Sequence, residues 1–144
     1  MIRVLLVVGC GAIAVLGGLI VVVLRRRFVV VRVEGKSMEP TLRDGDRVLV
    51  RRTSIAGVAP GVVVVLEPPE PVDGPRWLVK RAVALPGDPV PRATVPALRD
   101  VPEPVVPEGC LVVMGDNTAR SHDSRRAGYF PAATLLGIVI RQLR

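Results

Sequence analysis

Hydrophobic residues fill the beginning of the chain and then recur in short runs. The segment from Val4 to Leu24 contains no charged side chain. In a helix, at about 1.5 Å per residue, its length matches the roughly 30 Å hydrocarbon core of a bilayer. This pattern predicts a transmembrane anchor over residues 1–27, with a basic flank at Arg25 to Arg27. A cleaved secretory signal is disfavoured, because the apolar region of such a signal is usually about 7 to 15 residues long.

The rest of the chain, residues 28–144, shows the alternation and the β-branched content of strands. Turn-forming residues separate nearly all of the runs, and no segment has the pattern of a soluble amphipathic helix. Six short strands of this kind predict a mainly β domain, a small coiled antiparallel β-barrel or sandwich. The predicted strands are Phe28 to Val33, Asp46 to Arg52, Gly61 to Glu67, Trp77 to Leu85, Cys110 to Gly115 and Leu135 to Ile140.

Composition excludes several classes of protein. The formal net charge of +7 would suggest nucleic-acid binding, but the arginines are scattered and only 3% of the residues are aromatic, so we expect no nucleic-acid partner. Cys10 lies in the predicted anchor and Cys110 in the predicted domain, so we expect no disulfide between them. No spacing typical of a metal site or a phosphate-binding loop occurs, and we expect no metal and no cofactor.

Few residues could act as the general base for a nucleophilic serine. The chain holds one histidine and two lysines. His122 lies between Ser121 and Asp123, but neighbouring side chains in an extended segment point to opposite faces, so these three cannot line up as a triad. Lys36 is excluded for the same reason, because it is adjacent to Ser37.

Lys80 is the base that remains. Alternation along its predicted strand places it on the same face as Leu78 and Ala82. An ammonium group on a small, apolar face loses solvation, which lowers its pKa and favours the neutral amine that can accept a proton from serine. From the strand alone, a lysine that reaches from a strand edge into water is the favoured interpretation.

Three motifs reverse that preference. They are GKSMEPTL at Gly35 to Leu42, KRAVALPGD at Lys80 to Asp88, and GDNTARSHDSR at Gly115 to Arg125. In this order behind one apolar anchor, they resemble the motifs of the type I signal peptidase family. The resemblance covers nearly the whole chain beyond the anchor. It implies a membrane-bound serine endopeptidase that cleaves signal or leader peptides from exported precursors with a serine–lysine dyad.

The resemblance also implies a role for each matching residue. Ser37 is then the nucleophile, Lys80 the general base, and Ser121 the hydroxyl that orients the lysine. Gly35 stands where some members of the family place an oxyanion-hole serine, so backbone amides at Ser37 would stabilise the oxyanion. Arg81, which follows the base, would serve the scaffold. Charged residues would support the site: Asp116, Asp123 and Arg125. Apolar residues would line the substrate pocket: Val33, Leu42 and Val79.

Charge and family resemblance give different orientations for the predicted anchor. More arginines follow the apolar segment than precede it, and the positive-inside rule would keep that side in the cytoplasm. A protease for secreted precursors must instead meet its substrates after translocation. We therefore expect a single-pass monomer in the plasma membrane, in contact with membrane lipids, with its catalytic domain on the extracytoplasmic side.

Three alternatives stay open from the sequence. The first is a maturation protease dedicated to one exported precursor. The second is a self-cleaving, repressor-like domain with the same dyad, which the GDN and SHDSR letters and the predicted anchor disfavour. The third is a non-catalytic, membrane-tethered β-domain that binds exported proteins. A dispensable Ser37 or Lys80 would favour the third.

Overall fold

The computed structural model describes residues 2–68 and 76–143, and side chains from residue 15 onward. Helix α1, Ile2–Arg27, ends in three arginines, whose charges complement the negative end of the helix dipole. In the described part of the chain, no helix is both long and apolar enough to cross a membrane. The transmembrane span over Val4 to Leu24 stays a prediction, because the side chains of residues 4–14 lie outside the described ones.

Seven strands follow α1 and form one antiparallel sheet. The spatial order of the strands is β1-β2-β7-β3-β4-β5-β6. A short helix α2, Ser124–Ala127, lies between β5 and β6. The strands are β1 Phe28–Arg32, β2 Arg47–Arg52, β3 Val63–Leu66, β4 Leu78–Ala84, β5 Cys110–Met114, β6 Phe130–Pro131 and β7 Leu135–Leu143.

The mainly β, antiparallel architecture confirms the predicted fold class. The predicted closure into a barrel is wrong, because β1 and β6 lie at opposite ends of the strand order and do not pair in the described residues. The strands also form one sheet rather than the two of a sandwich. Shifts of register in the pairing of β2 with β7, of β3 with β7 and of β4 with β5 bend this sheet without closing it.

Buried aliphatic side chains cover both faces of the central strands. Val65 and Val79 belong to one cluster, together with the fully buried Met38. Val64 and Ala82, which alternate with them along β3 and β4, belong to a second cluster on the other face. A strand that is buried on both faces needs a nearly continuous apolar sequence, which explains the composition of β3. A third cluster packs the proline-rich segment before β5 against that strand.

Candidate active site

A cleft of about 310 Å³ lies between the turn after β1 and the beginning of β4. Ser37, in that turn, and Lys80, in β4, both line it. The apolar part of its wall is formed by Trp77, Leu78 and Val79. The structure therefore brings the predicted nucleophile and the predicted base to one cleft.

Hydrogen bonds of its backbone and the buried side chain of Met38 hold the turn that carries Ser37. Gly35 adopts a φ of 81°, in the left-handed region that favours glycine, and its N–H donates to Asp44 Oδ1 at 2.8 Å. Met38 is completely buried, and its carbonyl oxygen accepts from the Leu42 N–H at 2.9 Å. The side chain after Ser37 is thus fixed in the core, while Ser37 itself stays half-buried at the cleft.

Lys80 is buried in the interior of the sheet. Its strand β4 pairs with β3 on one side and β5 on the other, and only 4% of the residue is exposed. The alternative of a lysine that reaches from a strand edge into water is therefore wrong. Desolvation lowers the pKa of Lys80; the Asp123 carboxylate opposes this effect, and the Arg125 guanidinium adds to it. A lowered pKa increases the fraction of neutral amine, the form that a general base needs.

We expect cleavage by this site to slow as the pH falls through the lowered pKa of Lys80, because only the neutral amine accepts a proton. Between that pKa and the ordinary value of 10.5, the unfolded chain binds more protons than the folded one. The free energy of unfolding should therefore rise with pH in this window. Profiles of kcat/KM and of thermal unfolding against pH, for the wild type and Lys80→Met, test both effects. A rate that is constant from acid to alkaline pH would exclude a titrating lysine base.

Asp123 is fully buried at the centre of a hydrogen-bond network. Its Oδ2 accepts from Ser121 Oγ at 2.6 Å, from the Gly115 N–H at 2.8 Å and from Arg125 Nη2 at 2.6 Å. Its Oδ1 accepts from Arg125 Nε at 3.0 Å. Burial alone would raise the pKa of Asp123, but the hydrogen bonds, that of the Arg125 side chain first among them, outweigh it and lower the pKa to about 2. The group therefore remains a carboxylate at neutral pH.

Ser121 and His122 are neighbours in the chain but differ in exposure. Ser121 is buried, and His122 is exposed at the rim of the cleft. This difference follows the alternation expected of an extended segment and separates His122 from the buried Asp123. The Ser121 hydroxyl donates its hydrogen to Asp123, which leaves its lone pairs as acceptors. A hydrogen bond from Lys80 to Ser121 stays a prediction.

Ser121→Ala should weaken catalysis more than stability. The substitution removes one of several hydrogen bonds to Asp123, worth about 1 kcal/mol, but it also removes the acceptor predicted to orient the lysine. Asp123→Ala and Arg125→Ala should lower the free energy of unfolding by about 3 to 5 kcal/mol, because each leaves a largely buried charge without its partner. Turnover and thermal unfolding, measured side by side, separate the two effects. A fully active Ser121→Ala enzyme would remove the orienting role.

Asp116 links the segments of all three motifs. It accepts from Arg81 Nε at 2.8 Å and from Arg81 Nη2 at 2.6 Å, and its Oδ2 also accepts from Thr41 Oγ1 at 2.6 Å. Arg81 follows Lys80 in β4, and Thr41 lies in the turn that carries Ser37. The hydrogen bonds with Arg81 lower the pKa of Asp116 and keep it charged. The predicted placement of Asp116 and Arg81 in the scaffold fits these contacts, whereas sequence reasoning did not single out Thr41.

The three residues predicted to line the substrate pocket share one core cluster. Val33, Leu42 and Val79 are all buried in it. Val79 also lines the cleft, whereas Val33 and Leu42 are not among the residues that line it. A role for Val33 and Leu42 in substrate selection stays a prediction.

The chain matches a known protein family over almost its whole length. The matched residues include Ser37, Lys80 and the charged residues around them. A family model described as signal peptidase, peptidase S26, matches residues 4–95 and 91–142. The chain belongs to this family. The matched ranges include all three motifs, so the cleft and the charged groups around it lie within the S26 peptidase domain.

Individual relatives of this chain are named as signal peptidases or as a mitochondrial inner membrane protease. The probable signal peptidase I-1 of Synechocystis is 32% identical over 130 residues, which cover 70% of this chain and 63% of the relative. Signal peptidase I of Bacillus licheniformis is 36% identical over 124 residues, with coverage of 65% and 63%. The mitochondrial inner membrane protease subunit 1 of Mus musculus is 33% identical over 110 residues, with coverage of 75% and 64%. The chain thus spans less than two thirds of the length of each of these relatives.

Two further residues matter to the packing of the site but lacked a sequence signal of their own. Gly115 lies against both the Ser37 carbonyl oxygen and the Ser121 side chain, which leaves no room for a Cβ atom. Ser124 is fully buried, and its Oγ accepts from the Val113 N–H at 2.9 Å, which ties α2 to β5. Both lie within the third motif, but their packing depends on contacts that local sequence does not reveal.

Proposed function

We propose that this chain is a membrane-bound serine endopeptidase that removes signal or leader peptides from exported precursor proteins with Ser37 and Lys80. The observation that carries the proposal is the shared cleft, which joins a half-buried serine to a lysine whose burial favours the neutral amine. Membership of the signal peptidase family supports the same reaction. Two relatives are named signal peptidase I, which supports signal peptides as the segments that are cleaved.

The proposed reaction has two steps. Ser37 Oγ attacks the scissile carbonyl carbon while the neutral Lys80 amine takes the hydroxyl proton, and the resulting ammonium gives a proton to the leaving amine. A water molecule, deprotonated by the Lys80 amine, then hydrolyses the ester on Ser37, and the proton returns to the serine oxygen. Backbone N–H groups of the Ser37 turn stabilise the oxyanion in both steps. Gly35 adds no side chain to that turn.

Substrate selection follows from the wall of the same cleft. We propose that the precursor binds in an extended conformation and forms main-chain hydrogen bonds, as peptides do beside a strand. The buried Val79 limits the depth of the cleft, which favours small side chains next to the scissile bond. Val33 and Leu42 support it from the core.

The proposed location is a membrane, with one anchor and the domain on the extracytoplasmic side. The exposed apolar side chains of α1, from Val15 to Leu24, support a membrane location. Val30 of β1, which follows α1 in the chain, is 45% exposed as well. Arg25 to Arg27 separate these two regions. In this arrangement the arginines bind anionic headgroups, at roughly 1 kcal/mol each. Membrane lipids are then a partner of the chain, and we propose that it acts as a monomer.

Cleavage of exported precursors tests this function. The full-length protein in neutral detergent is incubated with a panel of precursors, and mass spectrometry locates the cuts. We expect one cut per precursor, at the end of the signal peptide after a small residue, and no cut by Ser37→Ala. Cleavage of a single precursor would identify a dedicated maturation protease. Binding of precursors without cleavage would instead favour the non-catalytic alternative.

A further inference from the structure

The mouth of the cleft carries two exposed cations. Lys36 is the chain neighbour of Ser37, and Arg120 is the chain neighbour of Ser121; both are exposed and both line the cleft. Glu34 is the carboxylate on the same lining. The fixed charges at the rim are thus two positive and one negative.

These rim cations are not neutralised by ion pairing in the described residues. Ion pairs shorter than 4.0 Å within residues 2–68 and 76–143 join Arg81 to Asp116 and Arg125 to Asp123. Neither Lys36 nor Arg120 takes part in an ion pair with another of these residues, and both side chains are exposed at the cleft. A further cation stands at the apolar wall, where the Arg76 guanidinium lies over the Trp77 ring at 5.4 Å from its centroid.

We propose that the cleft selects substrates with an aspartate or glutamate within two residues of the scissile bond, whose carboxylate binds Lys36 and Arg120. The inference rests on the proposed peptidase function and names a feature of its substrates. An extended substrate advances about 3.3 Å per residue, so a side chain two positions away lies about 7 Å along the chain from the bond. A lysine or arginine side chain beside Ser37 or Ser121 spans that distance. Arginine also pairs with a carboxylate through two parallel hydrogen bonds.

A bound substrate covers the cleft, which strengthens the attraction between its carboxylate and the two rim cations. The substrate displaces water from the apolar wall, and the lower local dielectric increases the attraction between a carboxylate and the rim cations. The same cations repel a substrate lysine or arginine placed at that position. A neutral amide of the same shape, as in asparagine, provides the reference for both effects.

Matched peptides test the inference. A set of signal-peptide substrates carries aspartate, asparagine or lysine at one of the two positions before or the two positions after the cut, with the rest unchanged. We expect the full-length protein in neutral detergent to cleave the aspartate peptide with a kcat/KM about fivefold above that of the asparagine peptide at one position at least, and the lysine peptide more slowly. The ratio should fall as salt rises from about 0.05 to about 0.5 M.

Charge-reversal variants assign the preference to the rim. Lys36→Glu combined with Arg120→Glu should invert the ratio of aspartate to asparagine peptides, and the milder Lys36→Gln should reduce it. Arg99→Glu, the same charge change at an exposed arginine outside the cleft lining, should keep the wild-type ratio. Cleavage at equal rates at every position, or a ratio that the double variant leaves unchanged, would overturn this inference alone. Cleavage of none of the peptides would overturn the proposed function and the inference with it.

Discussion

Lys80→Met is expected to lower kcat/KM for precursor cleavage by about 10⁴-fold or more, and Ser37→Ala by a similar factor. Lys80 is buried, and it lines the same cleft as Ser37. Methionine fills nearly the same space without a basic nitrogen. The free energy of unfolding should stay equal or rise, because the substitution removes a buried polar group rather than a packing contact. Steady-state kinetics and thermal unfolding measure the two quantities.

The double variant and a histidine control complete this test. Ser37→Ala combined with Lys80→Met should lose little more activity than either single variant, because the two groups act as a unit. His122→Ala should retain most of the activity, since the His122 side chain is exposed whereas Asp123 is buried. Near-normal activity of Lys80→Met, or loss of activity in His122→Ala, would contradict the assignment of the base.

Gly115→Ala is expected to lower kcat/KM by about 100-fold and the free energy of unfolding by about 1 to 3 kcal/mol. A Cβ on Gly115 would lie 2.6 Å from the Ser37 carbonyl oxygen and 2.6 Å from Ser121 Cβ. The first of these atoms belongs to the backbone, so it cannot move without displacing the turn that carries Ser37. The Asn117 N–H, which donates to the same carbonyl oxygen at 2.9 Å, would shift with it.

A second glycine provides the control for Gly115. A Cβ atom on Gly18, in α1, would have nothing within 4 Å, so Gly18→Ala should keep the rate and add a little helix stability. Cleavage rates and unfolding midpoints of the two variants are compared directly. If Gly115→Ala cleaves precursors at the wild-type rate, the close approach of Ser37, Gly115 and Ser121 has no part in positioning the site.

Local patterns were sufficient to predict most of the strands. The boundaries of β4 differ from the prediction by one residue at each end, because a segment rich in apolar and β-branched residues with turn residues on both sides is a strong local signal. β6 was missed, since two residues, Phe130–Pro131, carry no periodicity. Helix α2 was missed for a similar reason: it is one turn long and begins at the Asp123 cap. The open sheet also depends on which strands pair at its ends, which no local pattern encodes.

Some features of the site could likewise be predicted from sequence, and others could not. Ser37 and Lys80 were predicted from motif letters and from the elimination of other bases, and the cleft brings them together. The role of Thr41 could not be predicted, because a threonine in a turn gives no sign of an acid 75 positions away that its hydroxyl contacts. The tight fit of Gly115 likewise arises where two distant loops meet. Chemistry that depends on residue type was therefore accessible from sequence, whereas contacts between loops required the structure.

The central claim is that Ser37 forms an acyl-enzyme with Lys80 as its base. The most direct test is a single-turnover reaction of the full-length protein with a precursor peptide at alkaline pH, quenched with acid and mapped by mass spectrometry. We predict that the amino-terminal fragment of the substrate is attached as an ester to the peptide that contains Ser37, and that Ser37→Ala and Lys80→Met form no such adduct. An adduct on another residue, or cleavage that persists in Ser37→Ala, would contradict the claim.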